Sequence, residues 1–208
     1  MNTILFDLDG TLIDSMYVWE NSIRHLYDLY HIPSDFEADK PHYFQMTYPE
    51  VLQNIQKKFM PQISMKEMIH EAADYIDSEY RYHVPLKPGV KEFIQTQFAQ
   101  DMDMAVVTSN STALTETVLN RFDLQKDIAR IFSAQDLRLT KREPEIYQMA
   151  LNYFQTEPQE TLMFEDSAYA IDTARQLGIQ CIGIVNEDNK SEMEALNVET
   201  INDFTQVI

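Results

Sequence analysis

Apolar residues follow two rhythms along this chain. Short continuous runs at Thr3 to Phe6, Met104 to Val107, Leu162 to Phe164 and Cys181 to Val185 read as buried strands. Helical patterns separate the last three. Pro88-Gly89 opens one helix that carries Val90, Phe93, Ile94 and Phe98. Another follows Ser111, with Leu114, Val118, Leu119 and Phe122 on one face. A third runs from about Pro144 to Phe154, and a fourth from about Ala168 to Leu177, stopping at Gly178. Strands that alternate with helices predict an α/β fold with a parallel sheet covered on both faces.

Residues from about 14 to 86 break that rhythm and read as helices only. Met16, Trp19, Ile23, Leu26, Tyr27 and Tyr30 recur at helical spacing, as do Val51, Ile55 and Phe59, and again Met68, Ala72, Tyr75 and Ile76. So long a helical stretch is no ordinary crossover between neighbouring strands. It reads as a helical cap over residues 15–85, inserted into a core made of 1–14 and 86–208. Its exits, near Ile13 to Ser15 and Val84 to Pro88, are expected to act as hinges, with Pro85 and Pro88 stiffening the return.

Composition narrows the partners. Acids outnumber bases 34 to 16, a formal charge of -18. Such a surface repels phosphate backbones, so no nucleic-acid partner is expected. An anionic small substrate stays possible if a local cation or a bound metal receives it. No apolar run reaches membrane-spanning length, and no basic region precedes an apolar block at the N-terminus. Cys181 is the lone cysteine and lies in an apolar run, which suits a core thiol in a reducing compartment. A cytoplasmic, membrane-free protein is expected, with a monomer favoured.

Chemistry gathers at the strand ends. The first strand runs into Asp7-Leu8-Asp9-Gly10-Thr11, two acids one residue apart just before a glycine turn. Two buried carboxylates are costly unless a metal or a proton balances them. The second strand leads into Thr108-Ser109-Asn110, suited either to holding phosphate or to capping the next helix. Lys141 precedes a helix start, where the dipole disfavours a cation. The third strand ends in Glu165-Asp166-Ser167, a second acidic pair. In an open parallel sheet, ligands bind where the strands' C-terminal ends meet a switch in strand order. The acids there supply hard oxygen ligands of the kind Mg²⁺ prefers.

These motifs resemble the haloacid dehalogenase superfamily, in its phosphatase and phosphomutase branch that includes phosphoglycolate phosphatase and β-phosphoglucomutase-like proteins. The likeness rests on Asp-Leu-Asp-Gly-Thr, Glu-Asp-Ser and Lys-x-x-Pro-Glu-Ile-Tyr, and spans nearly the whole chain. It implies a Rossmann-like parallel sheet with helices on both faces plus an inserted all-helical cap. The implied activity is Mg²⁺-dependent hydrolysis of a small phosphorylated metabolite through an aspartyl phosphate. Asp7 would be the nucleophile. Asp9 would act as acid and then base, its carbonyl also reaching the metal. Gly10, Thr11, Ser109 and Asn110 would bind phosphate, with Thr108 the alternative hydroxyl. Lys141 would neutralise charge between nucleophile and phosphate. Asp166 would ligate the metal, together with Asp7, and Glu165 would be a further ligand or its support.

Departures and alternatives bear on this reading. Arg142 follows the lysine where relatives often have proline. Trp19 stands where sugar-phosphate mutases of this branch carry a histidine, which favours a hydrolase over the alternative mutase. Asp9 argues against carbon–halogen cleavage, because true dehalogenases lack that acid. A receiver-like signalling module is disfavoured by the helical insert, and a non-catalytic phosphate binder by the complete set of expected catalytic residues. Arg24, His25, Lys57 and Arg81 are candidate substrate contacts within the helical stretch.

Overall fold

A computed structural model of the chain describes residues 2–43 and 46–208. Its elements, in chain order, are β1 (Thr3–Phe6), α1 (Met16–Leu29), α2 (Phe36–Tyr43), α3 (Tyr48–Phe59), α4 (Met65–Tyr82), α5 (Val90–Ala99), β2 (Asp103–Thr108), α6 (Thr112–Arg121), β3 (Arg130–Ser133), α7 (Ala134–Leu137), α8 (Glu145–Phe154), β4 (Thr161–Glu165), α9 (Ala168–Gln176), β5 (Gln180–Ile184), α10 (Lys190–Leu196) and β6 (Glu199–Ile201). They divide into two compact units, one of Met1–Asp14 with Val84–Ile208, the other of Ser15–His83.

The first unit is a six-stranded sheet in the order β3-β2-β1-β4-β5-β6, every pair parallel. β1 is central and wholly buried. That explains its unbroken apolar run: a strand covered on both faces has no polar side to present. Alternation sends Leu5, Ala105, Val107 and Met163 into one core with Tyr147, Ile171 and Met193. Phe6 points the other way and stacks on Phe164 at 5.6 Å, with Phe93 of α5 edge-on to it. Two strands lie outside the sequence expectation. β3 and β6 are short strands at the sheet's two edges. Cys181 sits half-buried in β5, where burial pushes its thiol up to about 12, so it stays protonated at neutral pH.

The second unit is all helix among its described residues. Leu26, Ile55, Met68 and Ala72 share its core. Local sequence sets the helix starts: Thr47 and Glu50 form a capping box on α3, and Ser64 accepts from the Glu67 amide on α4. Trp19 packs edge-on against Tyr48 at 5.3 Å. The cations singled out above are mostly engaged within this unit. Arg24 pairs with Glu20 and Glu37, Arg81 with Asp77, and His25 stacks on Tyr75 at 4.9 Å. Lys57 is exposed. No described helix is long and apolar enough to cross a membrane.

Candidate active site

The sheet order reverses at β1: the chain steps to β2 and β3 on one side and to β4, β5 and β6 on the other. At the C-terminal ends of β1 and β4 lie the two acidic pairs, Glu165 being the last residue of β4. The Asp7 amide donates to the Phe164 carbonyl at 2.9 Å, so the ladder carries one residue past β1 and fixes the Asp7 backbone. Gly10 then turns the chain with φ +80, a left-handed conformation that glycine adopts without strain. Space imposes the same choice. A Cβ on Gly10 would lie 2.0 Å from Asp166 Oδ2. Gly10→Ala is therefore expected to displace Asp166 and to cost about 1–3 kcal/mol in backbone strain alone. Thermal melting and a Mg²⁺ titration should both register the loss.

Asp7, Lys141, Glu165 and Asp166 are all buried. Lys141 Nζ donates to Asp7 Oδ1 at 2.6 Å and to Glu165 Oε2 at 2.8 Å. These pairs span 134 and 24 residues of sequence. Burial lowers the Lys141 pKa, but the Asp7 and Glu165 carboxylates outweigh it and hold the ammonium well above its usual range. One oxygen from each of Asp7, Glu165 and Asp166 lies within 4.8 Å of the others. Fully ionised, three carboxylates against one ammonium would leave two negative charges uncompensated. Burial, then the Asp7 charge, push Glu165 up to about 8 and Asp166 up to about 7. Hard oxygen donors with an excess of two negative charges fit a divalent cation such as Mg²⁺.

Each acid is held from behind. The Ser167 amide donates to Glu165 Oε1 at 3.0 Å, so both Glu165 oxygens already have protein donors. Ser167 Oγ donates to Asp166 Oδ1 at 3.2 Å. Asn189 Nδ2 reaches the carbonyls of Asp166 and Ile184 at 2.8 and 2.9 Å, tying the Asp166 turn to β5.

On the β2 side, Asn110 Nδ2 donates to Asp9 Oδ2, so the second acid of the opening motif is directed to Asn110 and not into the acidic cluster. Thr108 is buried, and its hydroxyl accepts from the Asn110 amide at 3.0 Å. Ser109 is exposed and lines a cavity with Lys141. Thr11 is fully buried, and its hydroxyl has no hydrogen-bond partner among the described residues.

Sequence reasoning missed three supports. Tyr147 donates to the Lys141 carbonyl at 3.3 Å. Ser133 donates to the Asn110 carbonyl at 2.6 Å and accepts from the Asp136 amide. The third is Asn189. Their signal lay only in three-dimensional proximity, apart from Tyr147, which sits in the Lys-x-x-Pro-Glu-Ile-Tyr run.

Acids, a lysine and a glycine turn at the order switch of a parallel sheet make this an α/β protein with its polar cluster at the strands' C-terminal edge. The chain belongs to the haloacid dehalogenase-like hydrolase family, whose profile matches residues 4–184. A phosphorylated carbohydrates phosphatase of Thermotoga maritima is 26% identical over 204 residues, covering 94% of this chain and 91% of that protein. A validoxylamine A 7'-phosphate phosphatase of Streptomyces hygroscopicus subsp. limoneus is 25% identical, over 98% and 94% of the two chains. Among solved structures, CbbY from Rhodobacter sphaeroides in complex with phosphate aligns with TM-score 0.80 at 19% identity, over 100% of this chain and 96% of that one. The β-phosphoglucomutase of Clostridium difficile aligns with TM-score 0.70 at 19% identity, over 100% and 93%. At such identity the structural likeness establishes the shared fold.

Proposed function

We propose that this protein is a Mg²⁺-dependent phosphatase of small phosphomonoesters, with phosphorylated carbohydrates the leading substrate class, working through an aspartyl phosphate on Asp7. The observation that carries the reading is the buried Asp7 carboxylate, 2.6 Å from the Lys141 ammonium and grouped with Glu165 and Asp166. In the first displacement an Asp7 oxygen attacks phosphorus, and the bond to the leaving oxygen breaks as Asp9 gives that oxygen a proton. In the second, water attacks the same phosphorus and loses a proton to Asp9, which releases phosphate and restores the Asp7 carboxylate. Lys141 pairs with Asp7 at 2.6 Å and offsets charge between it and the incoming phosphate. Ser109 and Asn110 hold the phosphate oxygens. Asp7, Asp166 and the Asp9 carbonyl are the ligands proposed for Mg²⁺, with Glu165 as their support, because both its oxygens are engaged elsewhere. When bound, Mg²⁺ offsets the charge on the transferring phosphoryl oxygens.

The relatives named as phosphatases support hydrolysis, and Trp19 supports it against phosphoryl return to a sugar. A hexose 1-phosphate supplied with a sugar bisphosphate primer is expected to yield inorganic phosphate. Hexose 6-phosphate appearing faster than inorganic phosphate would overturn the hydrolase in favour of the mutase.

A further inference from the structure

A cavity of about 330 Å³ beside the acidic cluster is lined by Ser109, Ala134, Gln135, Lys141, Arg142 and Tyr169, among others. In a chain with 34 acids, no Asp or Glu lines it among the described residues. Its two cations differ. Lys141 is already committed to Asp7 and Glu165. Arg142 is exposed and makes no ion pair among the described residues; its guanidinium lies 4.1 Å over the centre of the Tyr169 ring. The neighbouring Glu143 forms no ion pair with it among the described residues; its Oε2 accepts instead from the Thr140 amide and hydroxyl at 2.7 and 3.0 Å. Stacking on an aromatic face immobilises a guanidinium and leaves its in-plane N–H groups free for a planar anion.

We propose that Arg142, held by Tyr169, is a second anion subsite next to the reacting phosphate, selecting phosphomonoesters whose leaving group carries a carboxylate or a second phosphate. The proposal rests on the phosphatase reading for its reaction, but its binding component stands apart. Ser109 joins the two sites, since it is proposed to touch the transferred phosphate and lines the same cavity. Gln135 adds an amide to the subsite, and no lining carboxylate opposes an anion there.

The test compares carboxypropyl phosphate and butanediol bisphosphate with neutral butyl phosphate. For the wild type, kcat/KM should favour the doubly anionic substrates about fivefold, near the upper end for an exposed ion pair, with the gain in KM. In Arg142→Gln the ratio should fall to near one, and added salt should shrink the wild-type ratio. The two charged substrates distinguish a carboxylate site from a phosphate site. No preference in the wild type, or a preference that survives Arg142→Gln, would overturn the subsite. Binding of phosphonobutyrate and butylphosphonate to the Mg²⁺-loaded protein separates the two claims. Absent turnover with an Arg142-dependent preference for phosphonobutyrate would sink the phosphatase and keep the subsite. Turnover without that preference would do the reverse.

Discussion

Asp7→Asn is expected to fold and to lose turnover by on the order of 10⁴-fold or more, the scale seen when a nucleophile is removed. An amide retains the shape of the side chain but forms no acyl phosphate. Folding should not suffer. Asp7 is one of three buried carboxylates that share a single ammonium, and Lys141 keeps Glu165 as a partner in the variant. Removing one charge from an overcrowded buried cluster relieves repulsion, so the melting temperature without metal should hold or rise. Asp9→Asn tests a different step. Its carboxylate accepts from Asn110, and each proton transfer proposed for it is worth about 10²–10⁴-fold. The two variants should therefore separate in single-turnover experiments. Asp9→Asn still labels slowly with phosphoryl on Asp7, whereas Asp7→Asn does not label at all. Substantial phosphate release by Asp7→Asn, at a tenth of the wild-type rate or more, would remove Asp7 from the nucleophile's role.

The legible parts of this molecule were those written in adjacent residues. β1 was visible because a strand buried on both faces must be continuously apolar, and Asp7-Leu8-Asp9-Gly10 was visible because turn chemistry and acid spacing are local. β3 and β6 escaped because edge strands are short and half exposed: Arg130-Ile131-Phe132-Ser133 and Glu199-Thr200-Ile201 carry too few apolar positions to show a period. α2 had no helical period of its own either. Pro41 lies inside it, and its buried residues, Phe36 and Tyr43, stand at its two ends. At the site, sequence identified the acids and the lysine but not their partners. Lys141 meets Asp7 across 134 residues, and Asn110 meets Asp9 across 101. Pairings of that kind are set by strand order, which periodicity does not encode. The same holds for Asn189 and Ser133, ordinary polar residues until the fold brings them behind Asp166 and Asn110.

Removing the metal should both stop catalysis and invert the pH dependence of stability. The carboxyls of Glu165 and Asp166 rise from ordinary values near 4 in the unfolded chain to about 8 and about 7 when folded. A raised carboxyl means that the native state binds more protons than the unfolded state. The stability these two groups contribute is thus fully present below about pH 4 and is lost as pH climbs through about 7 to 8. In chelator, the protein should melt several degrees higher near pH 5.5 than near pH 8. If the proposed site takes Mg²⁺, the ion binds the ionised carboxylates and displaces protons, so its stabilisation should grow over the same interval. Asp166→Asn isolates the effect from the general acidity of the chain. It should flatten the metal-free pH profile, abolish most Mg²⁺ stabilisation and reduce activity at least about 100-fold, because one proposed ligand is gone while Lys141, Asp7 and Glu165 remain paired. Calorimetry with and without Mg²⁺ across this range, on both proteins, is the direct measurement. Full activity in excess chelator, or identical pH profiles for the two proteins, would show that the buried acids serve something other than a metal.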